Sequence, residues 1–139
     1  MHRRNIAVLV ANSGGARLLR YDHETGALKT GLVIEDGPSS RSINPRGSTE
    51  DERLRRLRVG AFIEVIAAHL GGTLAEQPFA GLIVTAPARM LSDLTAAVGH
   101  LSPVLASLPK DLVKVPDHEL DAHLQHALLQ AEGALAAAG

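Results

Sequence analysis

The sequence predicts a single α/β domain built on a mixed sheet, and three observations carry that prediction. Short apolar, β-branched runs separated by turn signals fill the first 35 residues, and amphipathic stretches of helical period then alternate with further strand-like runs. The third is composition: 45% of the 139 residues are AVILMFWYC, which supplies an ordinary core. A meander followed by alternating helix and strand gives both antiparallel and parallel neighbours, with helices flanking the sheet. Residues 1–139 are read as one domain.

The elements follow in chain order. Ile6 to Ala11, IAVLVA, is continuously apolar, as a strand covered on both faces must be. Asn12-Ser13-Gly14-Gly15 makes a turn, with glycines that reach positive φ at no steric cost, leading into a second strand over Ala16 to Tyr21. His23 to Gly26 forms the next turn and Leu28 to Glu35 the third strand. Residues 37–49, GPSSRSINPRGST, hold one large apolar side chain, Ile43, and are expected to be a mobile loop. Thr49 with Glu52 forms a capping-box pattern before a long helix over about 50–70. Its core stripe is read as Leu54, Leu57, Ala61, Val65 and Ala68, broadened by Phe62, Ile66 and Leu70, and Gly71-Gly72 is read as its stop. Leu82 to Thr85 is a fourth strand, and Pro87 suits the first turn of a helix running to Val98, ended by Gly99. One more strand is expected within Val104 to Val115. Asp117 then caps a last helix with a stripe of Leu120, Leu124, Leu128, Ala131 and Leu135, fraying from Ala134 to Gly139.

Composition removes several classes of function. With 14 Lys+Arg against 15 Asp+Glu the net charge is −1, which excludes a generally basic nucleic-acid binder. Tyr21, Phe62 and Phe79 are the only aromatics, too few for stacking platforms along a single strand. Without cysteine there is no disulfide frame, thiolate zinc site or cysteine nucleophile. The apolar run after Met1-His2-Arg3-Arg4 is too short for a secretory leader, and no window holds the roughly 18 uninterrupted apolar residues of a membrane span. A cytoplasmic protein with no membrane partner is expected.

Three blocks, VLVANSGGARLL (8–19), LIVTAPARMLSDL (82–94) and PKDLVKVPDHELDAHL (109–124), resemble the bacterial host attachment protein family in order and spacing. That family is regarded as related to the middle domain of archaeal and eukaryotic class-1 release factors and of Pelota, so the resemblance implies a release-factor-like fold and a role in translation. It also implies a loop between the third strand and the long helix that carries a Gly-Gly-Gln tip in release factors. The matching stretch here offers only Asn44, Arg46 and Gly47, so peptide release is not carried across. Asn12 stands where the attachment family more often has Asp. Since no secretion signal accompanies the attachment phenotype, an intracellular route is expected rather than display as an adhesin.

The strongest candidate site is basic. Arg41, Arg46, Arg53, Arg55, Arg56 and Arg58 face only Glu50, Asp51 and Glu52 in the same stretch, a local charge of +3 against −4 for the rest. Guanidinium forks grip phosphate bidentately, so ribosomal RNA or tRNA backbone is the expected partner, with a protein partner as the other choice. The plain alternative is a solvated face with local pairs such as Glu52 to Arg56. On the last helix Glu119, His123 and His126 share one face, a metal-chelating pattern or simply a polar face. The entry to the second helix, with Pro87 and Arg89, can present amides to an anion or serve only as a turn. A metal-dependent nuclease on a ribonuclease-H-like sheet would draw on Asp22, Glu35, Asp36 and Glu64, but Asn12 removes the acid from the first strand. Ser13 and Ser92 lack a nucleophile elbow. A non-catalytic binding domain without cofactor is therefore the expectation, ahead of a hydrolase or a small metal-binding module.

Overall fold

The computed structural model describes residues 5–22, 27–35, 49–76 and 79–138. Five strands form one sheet: β1 (Ile6–Asn12), β2 (Gly15–Asp22), β3 (Ala27–Glu35), β4 (Gly81–Thr85) and β5 (Val104–Leu108). Their order is β3-β2-β1-β4-β5, with the meander antiparallel and β1-β4-β5 parallel, as expected of a mixed sheet. Helices α1 (Thr49–Glu76) and α2 (Ala88–Val98) cover one face, while α3 (Asp117–Ala138) covers the other.

The continuous apolar run of β1 has the burial that such a run requires. Ala7, Leu9 and Ala11 pack beneath α1 and α2, while Ile6, Val8 and Val10 pack beneath α3, all at 1% exposure or less. In β2–β3 the register steps from Leu18↔Leu32 to Leu19↔Thr30, leaving Gly31 as the extra residue of a bulge. Gly81 opens β4 against the edge strand, and a Cβ there would lie 2.5 Å from Leu105.

The loop expected at 37–49 lies outside the described residues except for the backbone of Thr49, the first residue of α1. The structure corrects the reading of α1 in two ways. First, the helix runs through Gly71-Gly72 to Glu76. Each glycine costs about 1 kcal/mol of helix propensity, but Leu70 and Leu74 continue to pack on the core and Leu101 lies against Gly71, so burial outweighs the cost. Second, the core stripe is Phe62, Ile63, Ile66 and Leu70. Leu54, Leu57 and Val65 face outward at 51%, 65% and 42% exposure.

Elsewhere the differences are local. Neither Gly14 nor Gly15 takes a positive φ, because the Asn12 side chain shapes the turn. Pro87 sits just before α2, and Gly99 caps its end in the right-handed region (φ −64°, ψ −20°). β5 stops at Leu108, where Pro109 begins an irregular segment to Pro116. Helix α3 packs with the expected Leu120, Leu124, Leu128 and Ala131, Leu135 is half-buried, and the helix continues to Ala138. Asp117 does not cap it by side chain: the Pro116 carbonyl accepts from Glu119 (2.9 Å) and Leu120 (3.1 Å), while the carboxylate turns elsewhere.

Candidate functional site

Parallel strands β1, β4 and β5 end at one edge of the sheet, so the β1–β2 turn, the entry to α2 and the 109–116 segment gather there. Crevices outside the carboxyl ends of such strands are the common ligand sites of open α/β sheets.

Asn12 sits at the centre of this edge. Its Oδ1 accepts from the amides of Gly14 (2.8 Å) and Gly15 (2.9 Å), and its Nδ2 donates to both carboxylate oxygens of Asp111 (3.1 and 3.2 Å). An amide carries acceptor and donor at once, and this position uses both. A carboxylate at position 12 would keep the turn but set two negative charges within contact distance. Asn12 therefore works as a neutral staple rather than a weakened acid.

Arg17 extends the fastening. Its Nη1 donates to the carbonyls of Val113 (2.7 Å) and Val115 (2.6 Å), and its Nη2 pairs with Asp117. Asp117 also accepts from the Thr30 amide (3.0 Å) and hydroxyl (2.6 Å). Partial burial pushes the Asp117 carboxyl up, but the Thr30 and Arg17 hydrogen bonds and the Arg17 charge outweigh it and hold the carboxyl below its ordinary value. The strap joins β1, β2 and β3 to the segment entering α3.

On the α1–α2 side of the same turn lies a cleft of about 610 Å³. Arg55 and Arg56 reach it from α1, Arg89 from the first turn of α2 and Ser13 from the β1–β2 turn, with Glu52 and Asp93 on its walls. All three arginines are solvent-exposed, and none forms an ion pair with another described residue. The Glu52 to Arg56 pair is not formed. The N-terminal amides of α2 open nearby, since Pro87 offers no side-chain cap.

The other sequence candidates distribute unevenly. Arg53 is exposed on α1 but does not line the cleft, and Arg58 is half-buried with Nη1 enclosed and lacking a hydrogen-bond partner among the described residues. Arg41, Arg46 and Asp36 lie outside the described residues. Glu35 stands opposite Gly15, Asp22 lies at the far end of β2, and Glu64 is exposed on α1, so these carboxylates do not converge. Glu119, His123 and His126 are exposed along α3, and among the described residues no three His, Cys, Asp or Glu are placed to hold a metal ion. Sequence reasoning missed the joining of Arg89 to Arg55 and Arg56, and the whole strap, because its partners stand 87 to 100 residues apart.

A family model described as "Protein required for attachment to host cells" matches residues 7–124, as the three blocks imply. No curated protein sequence matches the chain. Among solved structures, an archaeal translation termination factor is 17% identical, with 96% of this chain and 41% of that one covered at a TM-score of 0.45. The Ppx/GppA phosphatase of Aquifex aeolicus is 15% identical over 76% of this chain and 35% of that one, at a TM-score of 0.44. An exopolyphosphatase from Cytophaga hutchinsonii is 15% identical over 76% and 34%, at 0.42. The chain spans well under half the length of these structures.

Proposed function

The chain belongs to the family of proteins required for attachment to host cells, and on that premise we propose that it is a non-catalytic domain that binds RNA by its phosphate backbone. The observation that carries this reading is the convergence of Arg55, Arg56 and Arg89 on one open cleft with no ion-pair partner among the described residues. Unpaired guanidinium groups are available to phosphate oxygens, and the exposed amides of α2 add the positive end of a helix dipole. Glu52 and Asp93 on the walls disfavour a small anion held from all sides; an extended polyanion can touch the arginines and pass between the acids. Phe62 is buried in the core and Tyr21 lies at the opposite end of β2, so base stacking contributes little and sequence preference is weak. Arg53, exposed on the same helix, belongs to the proposed surface, which suits ribosomal or transfer RNA in the cytoplasm. A phenotype of attachment then arises through gene expression rather than direct adhesion.

Anisotropy titration with labelled structured and single-stranded RNA over a range of salt tests this. Affinity is expected to fall steeply with salt, and the triple change Arg55→Ser, Arg56→Ser, Arg89→Ser is expected to flatten the log–log slope by about 2, near 0.7 to 0.9 per lost phosphate contact. Binding that keeps its slope in the triple variant, or no binding by the unaltered chain, sinks the reading and leaves a protein partner as the better account.

A further inference from the structure

Helix α1 carries a second apolar row that the domain leaves uncovered. Leu54, Leu57, Ala61, Val65, Ala68, Gly72 and Ala75 follow one another at spacings of three and four and are all exposed. At 100° per residue this row is centred about 160° around the helix from Phe62, Ile63, Ile66 and Leu70, which face the sheet. The residues 52–76 are also long and apolar enough, by composition, to cross a membrane, so the outer face is unusually apolar for solvent.

Two features of the row indicate what covers it. One is size: its large members, Leu54 and Leu57, stand near one end and its small members, Ala68, Gly72 and Ala75, near the other. Turned end for end about a point between Glu64 and Val65, six of the seven members exchange in pairs, and Val65 falls beside Glu64 at the axis. Leu54 then meets Ala75, Leu57 meets Gly72 and Ala61 meets Ala68, so each large side chain falls on a small one and the backbones can approach closely. The other is charge. Residues 49–63 hold four arginines against Glu50, Asp51 and Glu52, net +1, whereas 64–76 hold two glutamates and no lysine or arginine, net −2. Antiparallel helices set the positive half of one against the negative half of the other; parallel helices would set like against like.

We propose that this face of α1 pairs with the same face of a second copy of the chain, the two helices antiparallel across a two-fold axis beside Glu64 and Val65. Such an isologous contact is closed, since the same patch serves both subunits. The stripe from Leu54 to Ala75 gives a seam about 32 Å long. Exposed Leu101, which lies against Gly71, widens it at each end. Arg55, Arg56 and Arg89 are off the seam, so the cleft stays open in the dimer.

Sedimentation velocity over a wide concentration range reads the oligomeric state. The unaltered chain is expected to sediment as a dimer. Leu57→Glu places a carboxylate in the seam twice and is expected to raise the dissociation constant on the order of a hundredfold, with circular dichroism unchanged. The chain has no cysteine, so single cysteines report the geometry directly. Val65→Cys is expected to cross-link to itself under mild oxidation. Leu57→Cys is expected not to, because its two copies lie about 22 Å apart along the seam, yet it should cross-link when mixed with Gly72→Cys. A monomer at every concentration overturns the proposal. Leu57→Cys cross-linking to itself as fast as Val65→Cys also overturns it, since that is the parallel arrangement. A monomer that binds lipid vesicles through this face, and loses them on Leu57→Glu, assigns the face to lipid and overturns it as well.

Discussion

Helices α1 and α3 grip opposite faces of one sheet, each with a fully buried row: Phe62, Ile63, Ile66 and Leu70 in the first, Leu120, Leu124 and Ala131 in the second. Their far sides differ. Helix α3 turns His118, Glu119, Asp121, His123 and His126 to solvent, with Leu129, at 63% exposure, as its one exposed large apolar residue beside the small side chains of Ala122, Ala134, Ala136 and Ala137. The far side of α1 repeats apolar residues along almost its whole length. A helix with one apolar stripe is finished when it has packed on its own domain; a helix with two has one surface left over.

The largest expected effect tests which face of each helix is the inner one. Ile66→Ala and Leu124→Ala, both at fully buried positions, should each cost about 2 to 5 kcal/mol in urea unfolding at low protein concentration. If Leu57→Ala cost more than Ile66→Ala in dilute solution, the assignment of the faces of α1 would be inverted.

A smaller effect separates the polar attachment of α3 from its apolar one. Asp117→Asn removes the charge that Arg17 and Thr30 hold, at a cost of about 1 to 2 kcal/mol near neutral pH, kept modest because the carboxylate is partly exposed. The folded-state carboxyl is held below its ordinary value, so its stabilisation is complete above that ordinary value, about 3.9, and disappears as pH falls through the lower folded one. The difference between Asp117 and its Asn variant should stay flat from about pH 5 to 8 and shrink below about pH 4. A difference that instead grew towards acid would show that Asp117 is not held in this way.

The smallest effect compares the two outer faces directly. In dilute solution Leu57→Ser and Leu129→Ser should each change stability by no more than about 0.5 kcal/mol. At high concentration only Leu57→Ser should lower the melting temperature, because only the α1 row has a second subunit to lose. Equal behaviour at both concentrations would make the two exposed leucines equivalent.

Much of the architecture was readable before folding was considered. IAVLVA at the start and the stripe of α3 each have a single physical solution, and the structure adopts it. Helix α1 had two. Leu54, Leu57, Ala61 and Val65 satisfy helical periodicity as well as Phe62, Ile66 and Leu70 do, and periodicity alone does not say which row the sheet will take. Gly71-Gly72 looked like a stop because propensity is local, whereas the contacts that carry α1 onward come from Leu74 and, across the fold, Leu101. For the basic site, clustering along the chain revealed Arg55 and Arg56 but not Arg89, which joins them only when α2 packs beside α1. Asn12 to Asp111 and Arg17 to Asp117 left no trace, since a pair nearly a hundred residues apart has no period.

The double burial of β1 also sets a timetable. Of the five strands it is the first to be made, and its Ala7, Leu9 and Ala11 side waits some fifty residues for Phe62 and Ile66. Its other side, Ile6, Val8 and Val10, gains its cover only with Leu120, Leu124 and Ala131, more than a hundred residues later. At roughly 5 to 20 residues per second, that side stays wet for about 5 to 20 seconds of every synthesis. Throughout that interval the nascent chain carries a half-clad strand at the centre of its sheet, and the fold depends on α3 to close the layer that β1 began.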